Sequence, residues 1–192
     1  MRQSYGRIET IVGPMFSGKT TELQRRLNRH VYRPLTNPKI AVIKSMIDSR
    51  YDQNSIVSHV GHKLKADFQT KNLMDIVDDL GDYDVIGIDE GHFFPGDLVE
   101  FCEELSNSGK TVIVSALDTD YTRKHFSHVT ELMAKSESVV KLNAICRYCE
   151  SDAAFTLKKP KEIKSVGSFE VGGSETYESV CRHCHRKKNK MT

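Results

Sequence analysis

No stretch of this 192-residue sequence is apolar over anything like the ~20 residues that a membrane span requires. The opening residues, Met1-Arg2-Gln3-Ser4-Tyr5, run into a strand pattern without a signal-peptide apolar region, so no secretory leader is expected. Charge of one sign is also lacking. The 28 basic and 26 acidic residues leave a net charge of +2, which gives no general electrostatic reason to expect a nucleic-acid partner. The one basic run, Arg186-Lys187-Lys188-Asn189-Lys190, reads as a solvated C-terminal tail. A disulfide framework is missing as well. The five cysteines are an odd number, and four of them form two C-x-x-C pairs, which suits a metal and a reducing compartment. A cytoplasmic protein is the expectation.

The length suffices for one medium domain and a small appendage. A core of ~150 residues buries roughly 68–70% of its unfolded surface, so folding need not rest on disulfides. Ile8 to Val12 is a buried-strand pattern ended by Gly13-Pro14, and Leu23, Leu27 and Val31 then recur at helical spacing. Ile40–Ile43, Val85–Ile88, Val112–Val114 and Val139–Leu142 are further apolar strands. Between them, Leu73, Ile76, Val77 and Leu80 predict a helix ended by Gly81. Leu98, Phe101, Cys102 and Leu105 predict another with Gly109 as its stop. Apolar strands alternating with amphipathic helices indicate an α/β fold, a mostly parallel sheet with helices on both faces. After Leu142 the texture changes. The sequence divides into a nucleotide-binding core, 1–142, and a metal-pinned module, 143–192.

Gly13-Pro14-Met15-Phe16-Ser17-Gly18-Lys19-Thr20 matches G-x-x-x-x-G-K-[ST]. Backbone N–H groups of such a loop cradle phosphate oxygens, the lysine adds a point charge, and the Thr20 hydroxyl can reach Mg²⁺. The match lies between a strand and a helix, the context it needs, and makes the fold a phosphate-loop, RecA-like one. Asp89 and Glu90 stand at the C-terminal end of the Val85–Ile88 strand, where ligands collect in open α/β sheets. Asp89 is assigned to the magnesium of Mg-ATP. Glu90 suits a general base, for an attacking hydroxyl or for water, and the pattern alone does not separate the two.

Cys146-x-x-Cys149 and Cys181-x-x-Cys184 have the spacing of a tetrahedral zinc site. His183 or His185 could stand in for Cys184, and Cys102 reads as a core residue. A compact zinc ribbon separates its pairs by ~15–20 residues. Here residues 150–180 intervene, so zinc would clamp the base of a long excursion, which is read as a lid over a small-molecule pocket.

Taken together, these motifs resemble one family, the cellular-type (type II) thymidine kinases, over nearly the whole chain. The likeness extends to the non-glycine positions of the phosphate loop, to Asp48-Ser49-Arg50-Tyr51, and to Ile88-Asp89-Glu90-Gly91-His92-Phe93-Phe94. It implies that Asp48 and Arg50 lie near the phosphates and that Glu90 activates the 5′-hydroxyl of thymidine. Leu117, Tyr121 and Phe126 match an apolar wall around the thymine, with Met15 beside the base. Ala154-Phe155-Thr156 and Val171-Gly172-Gly173-Ser174-Glu175-Thr176-Tyr177 are similar to the two halves of a zinc-based lasso over the nucleoside, with Tyr177 near the sugar. The resemblance further implies a homotetramer and feedback inhibition by dTTP. His92 stands where glutamine is usual in the family, Tyr121 where phenylalanine is frequent, and His125 and Ser127 replace a common Pro and Gly. Two rivals compete on the residues alone, an ATPase motor and a zinc-ribbon nucleic-acid module. Near-neutral charge and few aromatics in the excursion disfavour both.

Overall fold

The computed structural model describes residues 5–47, 55–57, 63–159 and 173–189, with only the backbone described at 55–57, 63–65 and 189. The chain order is β1 (Arg7–Val12), α1 (Lys19–Val31), β2 (Ile40–Ser45), β3 (Ser55–Val57), β4 (Lys63–Lys65), β5 (Phe68–Thr70), β6 (Val85–Asp89), α2 (Leu98–Asn107), β7 (Thr111–Ala116), α3 (Ser127–Lys135) and β8 (Ser138–Lys141). Six strands form a parallel sheet in the order β5-β2-β6-β7-β1-β8. A short antiparallel pair, β3 with β4, stands apart from it.

Strand side chains alternate between two apolar layers, as a pleated strand requires. Ile11, Val42, Val85 and Ile113 pack with Leu23 and Leu27 of α1 on one face. Ile8, Val12, Ile43, Ile86, Ile88, Val112 and Val114 pack on the other, against α2 and α3. Both faces are therefore covered, and this is why the strands read as continuous apolar runs. Cys102 is fully buried in the second layer. Gly109 ends α2 as expected. With φ at 92° it lets Lys110 N–H reach back to the Leu105 carbonyl, at 3.1 Å.

One local expectation needs correction. Leu73 to Leu80 is not an α-helix but two short 3₁₀ turns, Leu73–Ile76 and Asp78–Leu80. Leu73 and Leu80 are buried as the periodicity demanded. The Asp97 carboxylate accepts from the N–H groups of Leu73 and Met74, which anchors the segment in a tight turn. α3 was not read from the sequence at all. Its buried stripe is only Val129 and Leu132. Most of the basic run, read as a solvated tail, lies in a helix, α4 (Arg182–Asn189), and its Arg186, Lys187 and Lys188 are exposed.

Beyond Leu142 the chain forms two small antiparallel pairs, β9 (Ala144–Ile145) with β10 (Asp152–Ala153) and β11 (Phe155–Lys158) with β12 (Tyr177–Val180). Ala144, Cys146, Ala153, Phe155, Leu157, Val180 and Cys184 make a third apolar cluster, separate from the two on the sheet. No described helix is long and apolar enough to cross a membrane.

Candidate active site and metal centre

β1 delivers the chain into the phosphate loop at the C-terminal edge of the sheet. Gly13 has φ of 151°, and a Cβ there would stand 2.4 Å from the Leu142 carbonyl oxygen, so only glycine fits. Phe16 and Gly18 both take left-handed backbone, and Gly18 opens α1. The positive end of α1 stands at the end of these turns, a setting that favours an anion. Ser17 Oγ and Lys19 Nζ both donate to the Pro14 carbonyl, at 2.8 and 2.7 Å. Thr20 Oγ1 donates to the Asp89 carboxylate, 3.2 Å from Oδ2, so helix α1 and strand β6 meet at one hydroxyl and one carboxylate.

Asp89 is 6% exposed and also accepts from the Ser115 hydroxyl. Its carboxyl is held above the ordinary range by burial and then by the adjacent Glu90 charge, against the hydrogen bonds from Ser115 and Thr20. Two hard oxygen donors and a desolvated carboxylate beside a second one make a setting that a divalent cation relieves. Glu90 adopts φ 55°, ψ 44°, the left-handed region that non-glycine residues rarely take. That turn ends β6 and starts the Gly91–Phe93 turn, closed by Phe93 N–H on the Glu90 carbonyl. Strain of this kind collects at functional sites.

The expected nucleoside wall follows β7. Leu117 donates its N–H to His92 Nδ1 at 3.2 Å, and the Phe126 ring lies 5.2 Å from the His92 ring. Tyr121 faces Tyr177 of β12 at 6.4 Å between ring centroids. From β11, Thr156, only 3% exposed, accepts the Met15 N–H at 3.1 Å. Two contacts thus join the core to the hairpin, Met15 with Thr156 and Tyr121 with Tyr177, and Leu117, Phe126 and Glu90 are linked through His92. The Gly173 carbonyl accepts from Thr176 and Tyr177, forming the turn into β12. A cavity of about 560 Å³ lies on the Cys146 side of the hairpin, bordered by Phe16, Cys146, Arg147, Lys159 and Tyr177 but not by Met15, Leu117, Tyr121, Phe126 or Thr156. Asp48, Arg50, Val171 and Gly172 lie outside the described residues.

The four paired cysteines meet. Their sulfurs all lie within 4.8 Å of one another, and Cys149 Sγ is 3.6 Å from Cys181 Sγ. A tetrahedron of sulfurs ~2.3 Å from a zinc ion has edges of about 3.8 Å, so the donor set and its spacing can hold zinc. Burial opposes the Cys146 thiolate, but backbone N–H groups of Cys181, Tyr148 and Cys149 outweigh it and bring that thiol below its usual range. Burial and the neighbouring thiols push Cys184 up. Sulfurs this close do not all ionise without a cation among them. Neither histidine replaces Cys184. His185 is buried with Nε2 3.1 Å from the Tyr121 carbonyl, and exposed His183 lies outside the cluster.

Some residues at this edge escaped the sequence reading. Ser115 was visible only as a polar interruption at the end of an apolar strand. Lys44, buried and in register with Asp89, was hidden inside β2. Asp118 and Lys141 form an ion pair at 2.5 Å linking the ends of β7 and β8, with no local pattern to announce it.

A parallel sheet, a strand–loop–helix phosphate cradle and a buried carboxylate on a nearby strand define a phosphate-loop nucleotide-handling protein. A sequence profile described as thymidine kinase matches residues 6–185, and the chain belongs to that family. It is 45% identical over 188 residues to thymidine kinase 1 of Dictyostelium discoideum, covering 95% of this chain and 79% of that one. It is 44% identical over 183 residues to the thymidine kinase of Sheeppox virus, and 42% over 182 residues to that of Amsacta moorei entomopoxvirus. In both cases it covers 97% of the relative, with 94% and 93% of this chain aligned.

Proposed function

We propose that this chain transfers the γ-phosphate of ATP to the 5′-hydroxyl of thymidine, giving dTMP. The observation that carries the reading is the contact of Thr20 with Asp89, which brings the phosphate loop to a strand end whose next residue is Glu90. Loop N–H groups and Lys19 bind the phosphates, with Arg50 adding charge to the transferring group. Thr20 and Asp89 would hold Mg²⁺, which when bound neutralises charge on the phosphates. Glu90 accepts the proton leaving the 5′-hydroxyl. Asp48 lies near the phosphates by family likeness.

The nucleoside lies between Leu117, Tyr121 and Phe126 on the core and Thr156, Val171, Gly172, Gly173 and Tyr177 on the lasso, with Met15 at the base. Shared contacts among these residues support the grouping, notably Met15 with Thr156 and Tyr121 with Tyr177. Cys146, Cys149, Cys181 and Cys184 would hold zinc, which would fix the foot of the lasso. A closed lasso excludes water and so limits wasteful ATP hydrolysis. Residues 1–142 act as the catalytic core and 143–192 as the lid module, in keeping with the separate apolar cluster of the latter. A homotetramer and inhibition by dTTP complete the reading, by family likeness.

The test is product formation from thymidine and Mg-ATP, with ATP hydrolysis in the absence of nucleoside as control. dTMP formation with slow background hydrolysis is the expected result. Rapid nucleoside-independent hydrolysis without dTMP would make this an ATPase instead.

A further inference from the structure

His92 is 4% exposed and sits two residues beyond Glu90, where three segments of the chain converge. Its Nδ1 accepts the Leu117 N–H at 3.2 Å, and its carbonyl accepts from His128 Nε2 of α3 at 3.1 Å. Its ring packs 4.5 Å from that of Phe93 and 5.2 Å from that of Phe126. The same Nδ1 lies 3.5 Å from Glu90 Oε2.

One nitrogen cannot donate to Glu90 while accepting from Leu117. A backbone N–H has no choice of role, and it is the closer partner, so Nδ1 presents its lone pair and the imidazole proton sits on Nε2. The ring is therefore neutral, and its lone pair facing the Glu90 carboxylate at 3.5 Å repels it, so the approach is neither a hydrogen bond nor an ion pair. His92 does not draw the carboxylate into a charge pair. It limits where that carboxylate can swing and at the same time fixes Leu117 and Phe126.

We propose that His92 is a positioning residue, a neutral strut that sets the Glu90 carboxylate and the Leu117–Phe126 wall at one distance from each other. The proposal rests on the assignment of Glu90 and of that wall made above. A nucleoside held by the wall then presents its hydroxyl to Glu90, and small errors in such placement are costly in rate. Phosphate binding involves the other side of the site and is not set by this residue.

The experiment compares His92→Leu, which removes the acceptor, with His92→Asn, whose Oδ1 can replace Nδ1. In His92→Leu the partly buried Leu117 N–H loses its partner, so thymidine affinity and kcat are each expected to fall about tenfold or more. Mg-ADP affinity, measured without nucleoside, is expected to stay unchanged. The Leu117 amide should lose hydrogen-exchange protection in His92→Leu and keep it in His92→Asn, which also regains most of kcat. Parallel losses of thymidine and Mg-ADP affinity would make His92 an ordinary core residue and overturn the proposal. So would an asparagine variant no better than leucine, or a His92→Leu enzyme with unchanged kcat. If the wild-type chain bound no thymidine, the assignment of the site itself would fall. The Leu117 amide of the unliganded protein would then decide whether His92 joins the two segments, and retained protection in His92→Leu would overturn that joint.

Discussion

Gly13 shows how little room the phosphate loop has at its first residue. Its positive φ and the Leu142 carbonyl 2.4 Å from any Cβ mean that alanine strains the backbone and collides with a backbone atom that cannot turn away. Gly13→Ala is expected to cost ~1–3 kcal/mol of stability and to weaken Mg-ADP binding, read by thermal melting and calorimetry. An unchanged melting temperature would mean that the loop relaxes freely. At this scale the motif residues were legible because their chemistry is local. The partners that tune them were not. Ser115 reaches Asp89 from the next strand, Lys44 stands in register with Asp89 on the other neighbouring strand, and Asp118 finds Lys141 across an intervening strand, β1. Nothing in local spacing encodes such neighbours.

Among the elements, α1 carries a testable charge cluster. Glu22, in its first turn, bonds Arg25 and Arg26, and Arg26 reaches Glu9 on β1. The Arg25 hydrogen bond leads in lowering the Glu22 pKa from 4.5 to about 2, with burial opposing and Arg26 assisting. A carboxyl depressed on folding contributes stability above its unfolded pKa and loses it as pH falls through the folded one. The expectation is a loss of stability between pH 4.5 and about 2 that Glu22→Gln flattens, followed by chemical denaturation at each pH. Equal slopes in both proteins would remove Glu22 from the acid response. Long apolar runs made the sheet and α1 and α2 readable. α3 was missed because two buried residues in nine give too thin a stripe, and Leu73–Leu80 was misread because a 3₁₀ turn can bury i, i+7 residues without continuing as a helix. The hairpin β11–β12 gave no strand signal. Its Thr156 is polar yet buried because it serves the Met15 amide rather than solvent.

For the molecule as a whole, the sulfur cluster belongs to an apolar core separate from those on the sheet, and among the described residues Thr156 to Met15, His185 to Tyr121 and Tyr177 to Tyr121 are contacts between the two parts. Removing one thiolate should therefore loosen the lasso before the core. Cys149→Ser is expected to raise the thymidine KM and speed hydrogen exchange over 150–180. Strands β1 and β7 should keep their protection, and the Met15 amide should be the exception in the phosphate loop. Equal loss throughout residues 8–20 would contradict two modules. The most direct test of the account is the kinetic contrast between two adjacent carboxylates. Glu90→Gln keeps the shape but cannot take a proton, so kcat for thymidine should fall by ~10²–10⁴ with both KM values close to wild type. Asp89→Asn should instead shift the Mg²⁺ requirement and weaken productive ATP binding. A Glu90→Gln enzyme with near-wild-type kcat would contradict the account at its centre.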